Sequence, residues 1–182
     1  MIAGATDDDL LSVRSSVDNA ELSLNNAKSN LEQTKKDQQL KVEKAYTELM
    51  NSGLSVVAGP VDLTNAMPAL SGSYNGKEEG EYIVSLYSSA SGLYYNINGL
   101  ESASGYLRAG ILIPLGTRGL YIQFSSISSL GPNDSWTISV PNKKSGSYLT
   151  NYNAYQTALQ TQTQSIANAE NSIKTAELSL AQ

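Results

Sequence analysis

The chain has 182 residues, with 12 Lys and Arg against 17 Asp and Glu, for a formal net charge of −5. So acidic a chain lacks the basic patch that phosphate contacts need, which argues against nucleic acid as a partner. Cysteine and histidine are both absent, which excludes disulfide frameworks, thiolate metal sites, Ser-His-Asp and Cys-His catalysis, and histidine-ligated zinc hydrolysis.

Met1 to Ala5 lack the basic start of a signal peptide, and no run approaches the ~18 apolar residues of a membrane span. Thr6 followed by Asp7, Asp8 and Asp9 reads as a helix start, where short oxygen-bearing side chains cap free N–H groups and carboxylates suit the positive end of the dipole. A calcium loop would need a glycine and a distal glutamate that this spacing does not supply. From Leu10 the apolar positions step by threes and fours: Leu10, Val13, Val17, Ala20, Leu24, Ala27, Leu31, Thr34, Gln38. After one four-residue step out of phase they continue as Val42, Ala45 and Leu49. No Gly or Pro interrupts residues 5–52. The pattern predicts a first coiled-coil helix over 6–52, roughly 65 Å long at ~1.5 Å per residue, with Gly53 as its left-handed stop.

Residues 53–147 change character, with Gly, Ser, Tyr and Asn dominant. Short alternating runs at Leu54–Ala58, Glu81–Tyr87, Leu93–Ile97, Tyr106–Ile113, Leu120–Phe124 and Trp136–Val140 are separated by turn signals such as Asn75-Gly76 and Ser91-Gly92. They predict a β-sandwich with Trp136, Phe124, Ile122, Val84, Ile83 and Leu120 as its core.

A second heptad seam then occupies 148–182: Tyr148, Tyr152, Tyr155, Leu159, Gln162, Ile166, Ala169, Ile173, Ala176 and Leu180. It meets no stop signal, an expectation that the helix continues past Gln182. If the β-domain sits at one end, the two helices run antiparallel and facing residue numbers sum to about 200. Leu180 then faces Ala20, Ala176 faces Leu24, Ile173 faces Ala27, Ala169 faces Leu31, Ile166 faces Thr34, and Tyr155 faces Ala45. Gln38 meets Gln162 as a polar pair. Large residues oppose small ones, which fills a seam without voids. The expected fold class is therefore α+β: a long antiparallel two-helix coiled-coil hairpin with a sandwich-like all-β domain inserted between the helices. A parallel self-trimer, which would suit a fibre or tail protein, is the competing arrangement.

The β-domain is rich in tyrosine. Tyr94-Tyr95-Asn96 is the candidate binding cluster, since tyrosine offers an apolar ring with a polar tip suited to sugars or protein surfaces. Adjacent Tyr94 and Tyr95 point to opposite faces of a strand, so one surface holds at most one of them. Glu78-Glu79-Gly80-Glu81 reads as a solvated turn. Asp62, Glu101 and Asp134 show no spacing that predicts the paired carboxylates of glycoside hydrolysis. No catalytic, metal-binding or cofactor-binding residue is expected, and the chain reads as no enzyme.

A long helix, an insertion and a returning helix, with repeats of the type Ala20-Glu21-Leu22-Ser23-Leu24-Asn25-Asn26-Ala27 and Ala169-Glu170-Asn171-Ser172-Ile173-Lys174-Thr175-Ala176-Glu177-Leu178-Ser179-Leu180, resembles the membrane fusion protein family, the HlyD-like periplasmic adaptors of efflux and secretion systems. The resemblance covers the helices and not the insertion. It implies a non-enzymatic structural adaptor of an exported transport assembly, with the hairpin as spacer and the β-domain as docking module. It further implies an extracytoplasmic place, in the periplasm or cell envelope, with anchoring outside these residues. The implied partners are a cytoplasmic-membrane transporter and further copies of the chain. The family's helical tip carries an Arg, Leu and Ser set that docks a channel, whereas Arg14, Arg108 and Arg118 here lie away from any helix tip. The alternative expectation is a cell-surface or tail-fibre type module that binds glycan or protein and is carried on a helical stalk.

Overall fold

A computed structural model describes residues 6–59 and 67–181. They form two compact units. One is built from the helical segments up to Lys44 and from Gln156 onward; the other spans Ala45–Tyr155.

The first unit holds most of α1 (Asp7–Met50) and α2 (Tyr148–Leu180). The start of α1 is a reciprocal cap. Asp9 N donates to Thr6 Oγ1 at 3.3 Å, while Thr6 N and Thr6 Oγ1 donate to Asp9 Oδ2 at 2.9 and 2.6 Å. Two free backbone donors are thereby satisfied. The Thr6 hydroxyl and backbone N–H hold the Asp9 carboxyl below its ordinary value.

The expected long coiled-coil hairpin does not form. The chain has one long helix and a C-terminal helix with a mostly β domain of two sheets between them. Interdigitated seams bring helix axes to ~8–10 Å, yet Cα atoms of α1 and α2 do not come within 8 Å of each other at successive turns. Ala20, Leu24, Ala27, Leu31, Gln162, Ile166, Ala169, Ile173 and Leu180 are only half-buried, and Leu10, Val13 and Val17 are exposed. Gln38, Val42 and Ala176 alone are buried among the described residues of this unit. A groove runs between the helical segments, lined by Ser23, Asn26, Asn30 and Thr34 on one side and Ser165, Asn168 and Ser172 on the other. Closing it would desolvate amides and hydroxyls for little apolar gain. Gln162 Nε2 donates to Gln39 Oε1 at 3.2 Å, one position from the expected Gln38. The Gln38 Oε1 itself is buried with no hydrogen-bond partner among the described residues.

In the second unit, β1 (Val57–Ala58), β3 (Gly80–Ser89), β4 (Gly92–Gly99), β5 (Ala103–Tyr106) and β8 (Ser135–Val140) form one sheet in the order β1-β8-β3-β4-β5. The second sheet contains β2 (Ala69–Gly72), β6 (Leu112–Pro114) and β7 (Leu120–Gln123), in the order β2-β7-β6. All pairings are antiparallel. Alternate residues of both sheets bury one core, including Tyr82, Val84, Ile97, Trp136 and Ile138 from the first and Ile113, Leu120 and Ile122 from the second. Phe124 meets Trp136 edge-on, with ring centroids 5.0 Å apart.

Four local expectations need correction. Ile83 is not in the core: it is 43% exposed between the buried Tyr82 and Val84, because neighbouring strand residues alternate faces. Tyr106–Ile113 is not one strand. It breaks into β5 and β6 of different sheets, with a turn at Gly110, whose φ is 72° and whose N donates to Phe124 O at 2.8 Å. The strand at Leu54–Ala58 shortens to Val57–Ala58, and β2 forms at Ala69–Gly72, outside the alternating runs. The Asn98-Gly99 turn, by contrast, has a stringent physical basis. Gly99 has a φ of 110°, and a side chain there would collide with the Glu81 carbonyl oxygen.

Trp136 is the largest fully buried side chain among the described residues. Trp136→Ala is expected to cost about 3–5 kcal/mol of β-domain stability, measured by urea denaturation followed through far-UV circular dichroism. A loss below about 1 kcal/mol would fall within the ordinary effect of a point change and refute a central role for Trp136.

Candidate functional site

Because β3, β4, β5 and β8 pair in register, their outward residues line up in rows across the sheet. The first row is Tyr87, Tyr94 and Tyr106, directly opposed across β3, β4 and β5. The second is Ser135, Ser85, Asn96 and Ser104. The third is Val57, Thr137, Ile83 and Asn98. Directly opposed side chains lie close enough to interact. Tyr87 and Tyr94 stack with centroids 5.6 Å apart and planes 25° apart, and Tyr106 meets Tyr94 edge-on at 5.2 Å. Tyr87 and Tyr106 are each 45% exposed.

The row is held from beneath and at its end. The hydroxyls of Ser91 and Tyr94 lie 2.8 Å apart in a hydrogen bond. Gly92 makes room for Tyr106: a side chain there would come within 2.9 Å of the Tyr106 ring. The Arg108 guanidinium sits 5.5 Å from the Tyr106 ring centroid, a cation–π arrangement. Arg108 is exposed and carries no ion pair among the described residues.

The sequence-predicted cluster is therefore divided. Tyr94 and Asn96 share the outward face. Tyr95 turns inward, packs against the core, and lies over Gly105. Tyr87, Tyr106 and Arg108 join the site without having been singled out. A tight turn at Ala90-Ser91 would have set Tyr87 opposite Tyr94, but the Tyr94–Tyr106 pairing depends on a longer connection with no such signal. Among the coiled-coil candidates in this unit, Ala45 is half-buried and Tyr155 meets Tyr46 in a tilted ring contact, with centroids 5.2 Å apart.

A second cluster gathers charge. Glu101 Oε2 accepts from the buried Tyr82 hydroxyl at 2.7 Å, and its Oε1 accepts from Thr117 N at 2.7 Å and Thr117 Oγ1 at 2.8 Å. Arg118 Nε stands 3.8 Å from Glu101 Oε2, while its Nη1 donates to Tyr74 Oη at 2.9 Å and Glu78 Oε2 at 2.6 Å. Burial alone would push the Glu101 carboxyl up, but donation from the Thr117 N–H, the Tyr82 and Thr117 hydroxyls and the Arg118 N–H holds it below its ordinary value. Burial, then the bond to Glu101, pushes the Tyr82 hydroxyl well above its ordinary value. A carboxylate so surrounded by donors clamps strands to loops.

The remaining acidic candidates also serve structure. In the stretch read as a solvated turn, Glu78 pairs with Arg118, Glu79 Oε2 pairs with Lys143 at 2.8 Å, and Glu81 accepts from Ser139 Oγ at 2.9 Å. Asp134 is buried and accepts from Gly131 N at 2.7 Å. Asp62 lies outside the described residues. Among those residues no three acidic side chains converge on a point that could hold a metal ion, and no helix is long and apolar enough to cross a membrane. No family model, curated protein or solved structure matches this chain.

The Glu101 clamp has a pH signature. A carboxyl whose folded pKa is depressed contributes stability that is present above the unfolded value, 4.5 for Glu, and lost as pH falls through the lower folded value. The melting temperature of the β-domain is therefore expected to fall as pH drops below 4.5. Glu101→Gln is expected to cost about 1–3 kcal/mol at neutral pH and to flatten that acid limb. Identical acid limbs for the two proteins would count against the clamp.

Proposed function

We propose that this chain is a non-enzymatic structural adaptor of an exported transport or secretion assembly. Its helices act as spacer and assembly elements, and its β-domain is the docking module. The observation that carries the reading is the way the β-domain is inserted. The chain enters and leaves it at one place: Asn142 Nδ2 donates to Gly53 O at 2.8 Å, and Asn151 Nδ2 donates to Ser52 Oγ at 2.8 Å. A domain whose two ends are strapped together is built as an insertion, the usual form of a module carried within another chain segment. Its outward tyrosine row is what such a module would offer a partner. The absence of histidine and cysteine and the structural engagement of Glu101 and Asp134 favour a binding role over chemistry.

Cell-envelope placement, a membrane transporter as partner and association with further copies follow from the resemblance of the helices and are part of the proposal. A second reading, a surface or fibre-type binding module, draws support from the same tyrosine row. The two readings part on transport. Residues 55–141 can be replaced by a short Gly-Ser linker because their flanks already meet. In the source cell, the shortened protein should still reach the envelope and be digested by protease added outside, while export of the assembly's substrate falls to background. Undiminished export would overturn the adaptor reading in favour of the surface module, and a protease-shielded cytoplasmic protein would overturn both.

A further inference from the structure

We infer that the outward face of β3, β4 and β5 binds an acidic glycan, an inference that rests on the docking role proposed above and names its ligand class. Three features meet there. The first is the row Tyr87–Tyr94–Tyr106, spanning three strands spaced ~4.8 Å apart and so offering a path of about 10 Å. Its rings combine apolar surface with hydroxyl tips, the pairing that a pyranose with its apolar face and polar rim requires. The second is the adjoining row, where the Asn96 side-chain amide and the Ser104 hydroxyl carry no hydrogen bond among the described residues. The third is Arg108, held over Tyr106 with its charge unpaired among the described residues.

Charge decides between a neutral and an acidic sugar. The protein as a whole is negative, yet among the described residues no carboxylate pairs with Arg108. The nearest outward acid along β3 is Glu81, six residues and ~20 Å from Tyr87 at the rise of a strand. Asp134 is turned onto Gly131, and Glu101 is enclosed by its own donors. A guanidinium presents a planar fork that fits a carboxylate or sulfate in two parallel hydrogen bonds. A protein partner fits less well, because a stable interface needs ~800 Å² per side with a dry apolar centre, whereas a narrow aromatic row bordered by amide and hydroxyl groups fits one extended polymer.

Affinity electrophoresis of the whole chain tests this, in gels containing polygalacturonate, heparin, fully methyl-esterified pectin or dextran. Retardation is expected with polygalacturonate or heparin and not with the methyl-esterified pectin or dextran. Tyr87→Ala and Tyr106→Ala should each weaken it about tenfold. Arg108→Gln should remove the preference for polygalacturonate over its methyl ester, and Arg108→Lys should restore part of it. Melting curves matching the parent chain establish that the variants fold; where Tyr106→Ala does not, Tyr87→Ala and Arg108→Gln carry the test. No retardation by either acidic polymer, or retardation that survives both Tyr87→Ala and Arg108→Gln, would overturn the inference. If neither polymer binds while removal of the β-domain still abolishes export, the glycan inference fails and the docking role stands.

Discussion

The β unit depends on how the last turn of α1 is built into it. Met50 and Leu49 are buried, Met50 within the core shared by the two sheets. Asn51 then imitates a strand. Its Oδ1 accepts from Tyr74 N at 2.7 Å, and its Nδ2 donates to Tyr74 O at 3.0 Å and to Thr47 O at 2.9 Å. One side chain thus satisfies both backbone groups of Tyr74 and a carbonyl of the final helical turn, groups that would be costly to leave unpaired at a helix end. Gly53, with a φ of 49°, turns the chain away. Tyr74 is nearly inaccessible, and its hydroxyl leads on to Arg118, Glu78 and, through Arg118, Glu101. The join of helix to β-domain and the clamp within the β-domain are therefore one connected hydrogen-bond network.

That network explains why the outward face can be spent on something other than stability. The inward residues of β3 and β8, Tyr82, Val84, Trp136 and Ile138, bury the core, while the Glu101 clamp ties Tyr82 to the loop at Thr117. The opposite face of the same strands is then free to carry tyrosines whose contacts are mostly with each other. The face is coherent because antiparallel register aligns one outward residue from each strand. The polarity of the second row and the mixed third row, with Val57 and Ile83 beside Thr137 and Asn98, follow from that alignment.

Much of the local structure was legible in the residues. Thr6 and Asp9 marked the helix cap, Gly53 its stop, and the period-two alternation around Val84 and Trp136 the strands. The misreadings have specific causes. Hydrophobicity alone puts Ile83 inside, whereas its neighbours Tyr82 and Val84 hold the inward phase. The break after Tyr106 rests on Gly110 and on a change of sheet, which no alternation pattern reveals. Tyr95 and Tyr94 are chemically alike, and only strand phase relative to the core separates the buried ring from the exposed one.

The helices show the same division most plainly. Periodicity, uninterrupted by Gly or Pro, determined that residues from Asp7 to Met50 and from Tyr148 to Leu180 are helical and which stripe of each is least polar. It did not determine whether the stripes close. That outcome balances the gain from burying Ala, Leu and Ile against the cost of stripping water from Ser, Asn, Thr and Gln beside them, and the balance leaves a groove. The sequence by itself settled the order helix, β-domain, helix, the cap at Thr6 and Asp9 and the stop at Gly53, because these are governed by residues a few positions apart. Tertiary structure alone decided which faces meet, which tyrosines share a surface and which carboxylates are clamped, because those depend on register between segments far apart in the chain.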